Sequence, residues 1–488
     1  MCKPTSRRAN LLLAALSVAV LSACASMAPD YQRPALPVPD RFAADAAATT
    51  ARPAREIGWR GFFTDPQLRE VIDAALGNNR DLRIAVLNIE RARGLYGIRE
   101  ADVLPTISAG ASGTAQHIPE TLSVNDRAGV SRQYSVALGV SAYELDLFGR
   151  VRSLRDAALQ EYLASEDARR ATQIGLVAEV ARAYLQLAAD QRRLELAQAT
   201  LVSQRSSYEL IRRRFELGVS SDLDLRQAQT TVDAARADVA RFTGFVTADR
   251  NALALLAGIP MREAWQPGDV LVAPTLAELP AGLPSDVLLR RPDVVQAERQ
   301  LQAANANIGA ARAAFYPRIS LTASAGTASA SLSELFSGGS GTWAFIPQIS
   351  LPIFDHGRNR SGLQVAEAER DIGVAEYEQA IQVAFREVSD ALGFRTTLAD
   401  QLQAQTDLVG ASEQVHRLSE ARYESGVDDY LGVLDAQRAL YAARQGRIAA
   451  ELEQQLNLVT LYRALGGGLD AGTPEQATVV GALGREAR

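Results

Sequence analysis

Few residues of this 488-residue chain have the type and spacing that chemistry needs. The clearest is Cys24. It closes the run Leu21-Ser22-Ala23-Cys24, behind an apolar stretch from Leu11 to Leu21 and a basic start of Lys3, Arg7 and Arg8. That order reads as a secretory signal, residues 1–23. Its end resembles the bacterial lipobox, in which the cysteine becomes the lipidated first residue. The other reading is an ordinary signal followed by a stray buried cysteine. Ala25 stands where an aspartate would mark inner-membrane retention, which points to the outer membrane. Cys2 leaves with the signal, so Cys24 is then the sole thiol and no internal disulfide can form.

Other chemistry is excluded by residue type. Lys3 is the only lysine, which removes Schiff-base and phosphate-loop lysine roles from the mature chain. His117, His356 and His416 are far apart and lack metal-ligand spacing; His416 falls on a helical seam. No G-x-S-x-G, H-E-x-x-H or glycine-rich phosphate loop occurs. The expectation is therefore no catalytic residue, no metal and no cofactor beyond a lipid on Cys24. The formal charge is −6, and without Lys3, Arg7 and Arg8 48 basic residues face 57 acidic ones, near −9. Such a chain has no cationic surplus for nucleic acid. The only window resembling a membrane-spanning helix is the short one at the N-terminus, which excludes a polytopic helical membrane protein.

The elements that hold these residues come in two copies. Arg214-Phe215-Glu216-Leu217-Gly218-Val219 returns as Arg422-Tyr423-Glu424-Ser425-Gly426-Val427, and Gly149-Arg150 returns as Gly357-Arg358. Pro105-Thr106-Ile107-Ser108 answers Pro317-Arg318-Ile319-Ser320. One register over so long a span means an internal duplication, 80–258 and 292–466. Around it lie a tether and first equatorial segment at 24–79, a linker at 259–291 and a tail at 467–488.

Each copy predicts a helix (Asp81–Val103; Asp293–Phe315) stopped by Pro105 or Pro317, then two strands, a long helix (Arg150–Leu217; Arg358–Ser425), a glycine turn and a return helix (Asp222–Ala257; Asp429–Leu465). The strands alternate. Tyr134, Val136, Leu138, Val140 and Ala142 share a face, and Trp343, Phe345, Ile349, Leu351 and Ile353 share another. Apolar residues on one side and small polar ones on the other suit an outer-membrane barrel. A soluble sandwich with one wet face has the same pattern. The long helices would each run roughly 100 Å. Val180, Leu187, Leu194, Leu201, Tyr208 and Phe215 form a heptad seam, repeated by Val388, Leu402, Val409, His416 and Tyr423. Four strands cannot close a pore-sized barrel, and an open edge in lipid is forbidden. Eight strands are too narrow for a wide channel. Three chains give twelve strands over a twelve-helix tube.

The chain resembles the TolC-like outer-membrane factors, in the NodT-type branch of efflux lipoproteins. The motifs that carry this are Leu288-Leu289-Arg290-Arg291-Pro292-Asp293, Ala303-Ala304-Asn305-Ala306, Phe315-Tyr316-Pro317, Tyr143-Glu144-Leu145-Asp146-Leu147-Phe148-Gly149 and Gly426-Val427-Asp428-Asp429-Tyr430-Leu431. The resemblance implies an α+β membrane protein. It would be a homotrimer with a twelve-stranded outer-membrane β-barrel continuous with a periplasmic α-helical barrel. It implies a passive exit duct for drugs and other toxic compounds, partnered by a periplasmic adaptor and an inner-membrane pump of the resistance-nodulation-division class. Under it Arg214, Phe215, Gly218, Val219, Ser220, Arg422, Tyr423, Gly426 and Val427 contact the adaptor, and Asp428, Asp429 and Tyr430 narrow the periplasmic entrance. Without the resemblance, Gly218 and Gly426 are left-handed helix stops and Ser221, Asp428 or Asp429 are helix caps. The competing function is an elongated coiled-coil envelope spacer that transports nothing.

Overall fold

A computed structural model describes residues 26–42, 57–122, 128–268, 270–271, 276 and 285–469. Cys24 and its lipidation lie outside these residues. In chain order the elements are α1 (Trp59–Phe62), α2 (Pro66–Asn78), α3 (Arg80–Ala101), β1 (Ile107–Ile118), β2 (Gly129–Glu144), α4 (Arg150–Glu216) and α5 (Asp222–Ala257). After them come α6 (Pro292–Ala313), β3 (Arg318–Ser329), β4 (Gly341–Ser350), α7 (Arg358–Glu424) and α8 (Tyr430–Ala464). The order helix, two strands, long helix, return helix thus occurs twice. Both long helices have 67 residues and no proline to interrupt them. No helix among the described residues is long and apolar enough to cross a membrane.

The chain packs as two compact units. The first draws on residues within 1–35, 88–165 and 296–377 and carries one antiparallel sheet in the order β1-β2-β3-β4. Its register lines up Ile107, Val140, Ala323 and Phe345 in one row and Ala109, Leu138, Ala325 and Trp343 in the next. Side chains alternate across a strand, so these rows make one apolar face across all four strands. The other face carries Ser108, Ser112, Ser135, Ser324, Thr342 and Gln348, with Ile346 as a large apolar exception. Trp343 is 78% exposed and Ile349 69% exposed, so nothing among the described residues covers the apolar face there. Strands β1 and β4 are edges without a strand partner among the described residues.

Two expected strand positions are corrected. Ala142 does not continue the face of Tyr134 to Val140. The register slips between Val140 and Tyr143, and Ala142 takes a left-handed φ of 52° while its N–H donates to Thr322 Oγ1. The extra residue of this bulge returns Tyr143 to the apolar face, opposite Leu321. Strand β4 ends at Ser350, because Pro352 cannot donate to a ladder; Leu351 and Ile353 lie beyond it. The long helices start alike: Asp146 accepts from the Arg152 N–H, and Asp355 accepts from the Gly357 and Asn359 N–H groups.

The second unit draws on residues within 36–87, 166–295 and 378–488. Its core stacks Phe62 on Tyr462 with ring centroids 3.8 Å apart, beside fully buried Trp59 and Phe63. The Leu288-to-Asp293 motif is a clamp. Buried Arg291 bonds both Asp293 oxygens, Glu387 and the Ala464 carbonyl, while Arg463 holds the other Glu387 oxygen. A buried arginine needs its charge and donors matched this fully. The heptad seam is buried at Val180, Leu187, Val388 and Val409, half-buried at Leu194, Leu201, Tyr208, Leu402, His416 and Tyr423, and exposed at Phe215.

Candidate functional site

The two interhelical turns, α4 to α5 and α7 to α8, both belong to the second unit. Each is built on one backbone device. Gly218 N–H donates to Phe215 O and Val219 N–H to Arg214 O, at 2.8 Å each. Gly426 and Val427 repeat this on Tyr423 and Arg422 at 3.0 and 2.9 Å. The glycines sit at φ 75° and 72°, the left-handed conformation that closes a helix and that a side chain would strain.

The return helices are capped differently. Ser221 Oγ accepts from the Asp224 N–H, and the Asp224 carboxylate accepts from the Ser221 N–H and the Ser220 hydroxyl. That reciprocal box satisfies donors at the start of α5. Partial burial works against the charged Asp224, but these bonds and Arg214 outweigh it and hold the carboxyl below its ordinary range. In the second turn Asp429 caps α8 through a longer 3.4 Å bond from the Gly432 N–H. Asp428 takes a two-pronged bond from Arg422, at 2.5 and 2.9 Å. That guanidinium lowers the Asp428 pKa.

The structure brings the two turns together. Ile211, Ala228, Tyr430, Val433 and Leu434 form a buried cluster, joined by Tyr208, Leu225 and Tyr423. Tyr423 and Tyr430 rings lie 5.3 Å apart. Arg214 donates to the Tyr423 hydroxyl at 2.9 Å, with its guanidinium 5.0 Å from the ring centre. Tyr430 is therefore a packing residue of this cluster, and burial raises its phenol pKa to about 12. Val219 and Val427 are exposed beside the glycines, as are Leu217, Leu223 and Leu431. Sequence reasoning missed the Arg422–Asp428 pair, the Asp224 half of the capping box and the buried cluster. The S-x-x-D spacing was a readable signal for the second of these. His117, His356 and His416 converge on nothing, and no group of metal-binding residues occurs among the described residues.

Residues 71–259 and 283–467 match the outer membrane efflux protein family. The chain belongs to that family. A toluene efflux pump outer membrane protein of Pseudomonas putida, TtgC, is 50% identical over 463 residues, 94% of this chain and 96% of the relative. A membrane protein of Pseudomonas aeruginosa of known structure is 47% identical with TM-score 0.85, across 91% of this chain and all of that one. The open state of the Neisseria gonorrhoeae MtrE outer membrane channel is 40% identical with TM-score 0.83, across 92% and 100%. As an outer membrane efflux protein, the chain follows the α+β fold class, the outer-membrane location and the efflux role that its motifs implied.

Proposed function

We propose that three copies join their sheets edge to edge into a twelve-stranded barrel, and that the trimer is the passive exit duct of a tripartite efflux system. The observation that carries this is the sheet: among the described residues it has four strands, two unpaired edges and one apolar face left uncovered. Backbone groups on a free edge cannot face hydrocarbon, so closure has to come from other copies. The apolar face then meets lipid and the small polar face lines the lumen. The envelope-spacer reading has no use for such a sheet.

The turns are the periplasmic end of the duct. Exposed Val219, Val427 and Phe215, with Arg214, Gly218, Ser220, Arg422, Tyr423 and Gly426, form the contact surface for a periplasmic adaptor. That adaptor links the duct to an inner-membrane pump of the resistance-nodulation-division class. Asp428 and Asp429 set the charge of the entrance, and Tyr430 holds their helix in place from the buried side. Residues 24–79, 259–291 and 467–488 make the equatorial region between and around the two copies, with Cys24 as the lipid anchor. The duct performs no catalysis and requires no metal or cofactor. The cargo is drugs and toxic compounds, in line with the toluene handled by the Pseudomonas putida relative.

Native mass spectrometry of detergent-extracted protein tests the assembly. The expected principal species is a trimer. A stable monomer or dimer as the principal species overturns the barrel argument.

A further inference from the structure

The segment just after Cys24 is fastened along one stripe of α6. Buried Glu298 accepts from Arg33 Nε and Nη2 at 2.8 and 3.0 Å and from the Tyr31 hydroxyl at 3.2 Å. Asn305 Nδ2 donates to the Pro29 carbonyl at 2.8 Å, and Arg312 Nη1 donates to the Met27 carbonyl at 3.4 Å. Gly309 lies between them. A Cβ there would sit 2.6 Å from the Ala28 nitrogen and 2.5 Å from Ser153 Oγ, so the close crossing needs glycine. Positions 298, 305, 309 and 312 are spaced seven, four and three apart, which is one face of a helix. The segment from Arg33 back to Met27 is thus held against α6 at every second residue, Arg33, Tyr31, Pro29 and Met27, running toward that helix's C-terminal end.

At that end the stripe opens into an apolar cavity of about 510 Å³ lined by Met27, Arg312, Phe315, Tyr316 and Leu363. Phe315 and Tyr316 are nearly half exposed. They directly precede Pro317 and β3, where the apolar sheet face begins with Ile319. Met27 is three residues from Cys24, a reach of about 10 Å for extended chain.

We infer that this shelf of Met27, Phe315, Tyr316 and Leu363 is the seat of an acyl chain carried by Cys24, and that the Tyr31-to-Met27 strap is its positioning device. The inference rests on the lipidation of Cys24. Met27 itself lines the shelf, so a lipid on Cys24, three residues away, is within reach of this exposed apolar surface at the foot of the sheet. The seat would fix the anchor at one height against the barrel. It also gives Phe315-Tyr316-Pro317 a role: the proline ends the helix and the aromatics receive the chain.

The test feeds cells a fatty acid carrying a diazirine, irradiates the full-length protein in native membranes and maps cross-links by mass spectrometry. The expected result is probe on the N-terminal peptide, cross-linked mainly to peptides containing residues 315–316 and 363. Glu298→Gln with Asn305→Ala should loosen the strap. It should lower that cross-link several-fold while probe incorporation and trimer yield stay unchanged. Probe on the N-terminal peptide with cross-links spread over phospholipid or the strands overturns the seat and leaves Phe315 and Tyr316 as interfacial aromatics only. An N-terminal peptide without probe overturns the lipidation reading and the inference with it.

Discussion

At the first tip Ser221 and Asp224 exchange hydrogen bonds inside one helix, whereas at the second Arg422 reaches across the turn to Asp428. The backbone of the two turns is the same, down to the left-handed glycine and the two bonds that close the helix. Duplication preserved the geometry, and the fastening diverged. A capping box is local and short-ranged. An exposed ion pair is screened by salt and weak in water, because both ions stay hydrated. The second tip is therefore the one whose closure responds to ionic conditions.

Removing what the tips share should have the largest effect. Tyr430→Ala empties the centre of the common cluster, at a cost of about 3 kcal/mol by analogy with buried aromatic truncations. Hydrogen exchange should accelerate in both tips, at 208–216 and at 430–434, with the trimer intact. Acceleration in one tip alone would show that the cluster does not join them.

Separating the tips comes next. Ser221→Ala removes the first cap, worth about 1 kcal/mol. It should speed exchange at the start of α5 at low and high salt alike, leaving α8 unchanged. Arg422→Ala should loosen only the second tip, by less, and high salt should erase its difference from the parent. If Arg422→Ala also loosens the first tip, its role extends beyond Asp428.

Acid gives a smaller effect with a defined sign. Asp224 and Asp428 have carboxyls held below their ordinary range. The stability they confer is present above the ordinary carboxylate range and is lost as pH falls through their lowered values, so acid should loosen both tips. Asp249 in α5 has the opposite sign. Burial, then the neighbouring Asp190, pushes its pKa up to about 7. The folded stem keeps that proton while an unfolded chain would release it. Stability there falls as pH rises from about 4 to about 7 and stays reduced above. Protection from exchange near Asp190 and Asp249, corrected for the intrinsic pH dependence of amide exchange, should therefore be higher at pH 5 than at pH 8, whereas the tips should hold their protection over that range and lose it only below about pH 4.

Periodicity and punctuation made most of the framework legible. Pro105 and Pro317 ended helices, the glycine turns fell at Gly218 and Gly426, and helix α5 runs from Asp222 to Ala257 as read. These signals are local, and so is the physics behind them. The bulge at Ala142 was not legible, because alternation predicts a face and carries no record of the neighbouring strand's register. The family resemblance put Tyr430 at the entrance beside Asp428 and Asp429. Its burial depends on Ile211 and Ala228, some two hundred residues away, which no local pattern reports. Asp428 and Asp429 were equal candidates for the cap of α8; Asp429 takes it, and Asp428 pairs with Arg422 on the other side of the turn. Nothing in the local pattern around Glu298 reports its partners Tyr31 and Arg33, more than two hundred and sixty residues away.

The central claim, a duct narrowed by charge at its periplasmic end, is tested most directly by planar-bilayer conductance and reversal potential in a salt gradient. Parent protein should be compared with the Asp428→Ala, Asp429→Ala double variant, both verified as trimers. Low, cation-preferring conductance is expected for the parent, and higher conductance with reduced cation preference for the variant. Unchanged conductance and selectivity would contradict the charged entrance and leave these aspartates as a helix cap and a turn brace, and trimers that pass no current would contradict the duct itself.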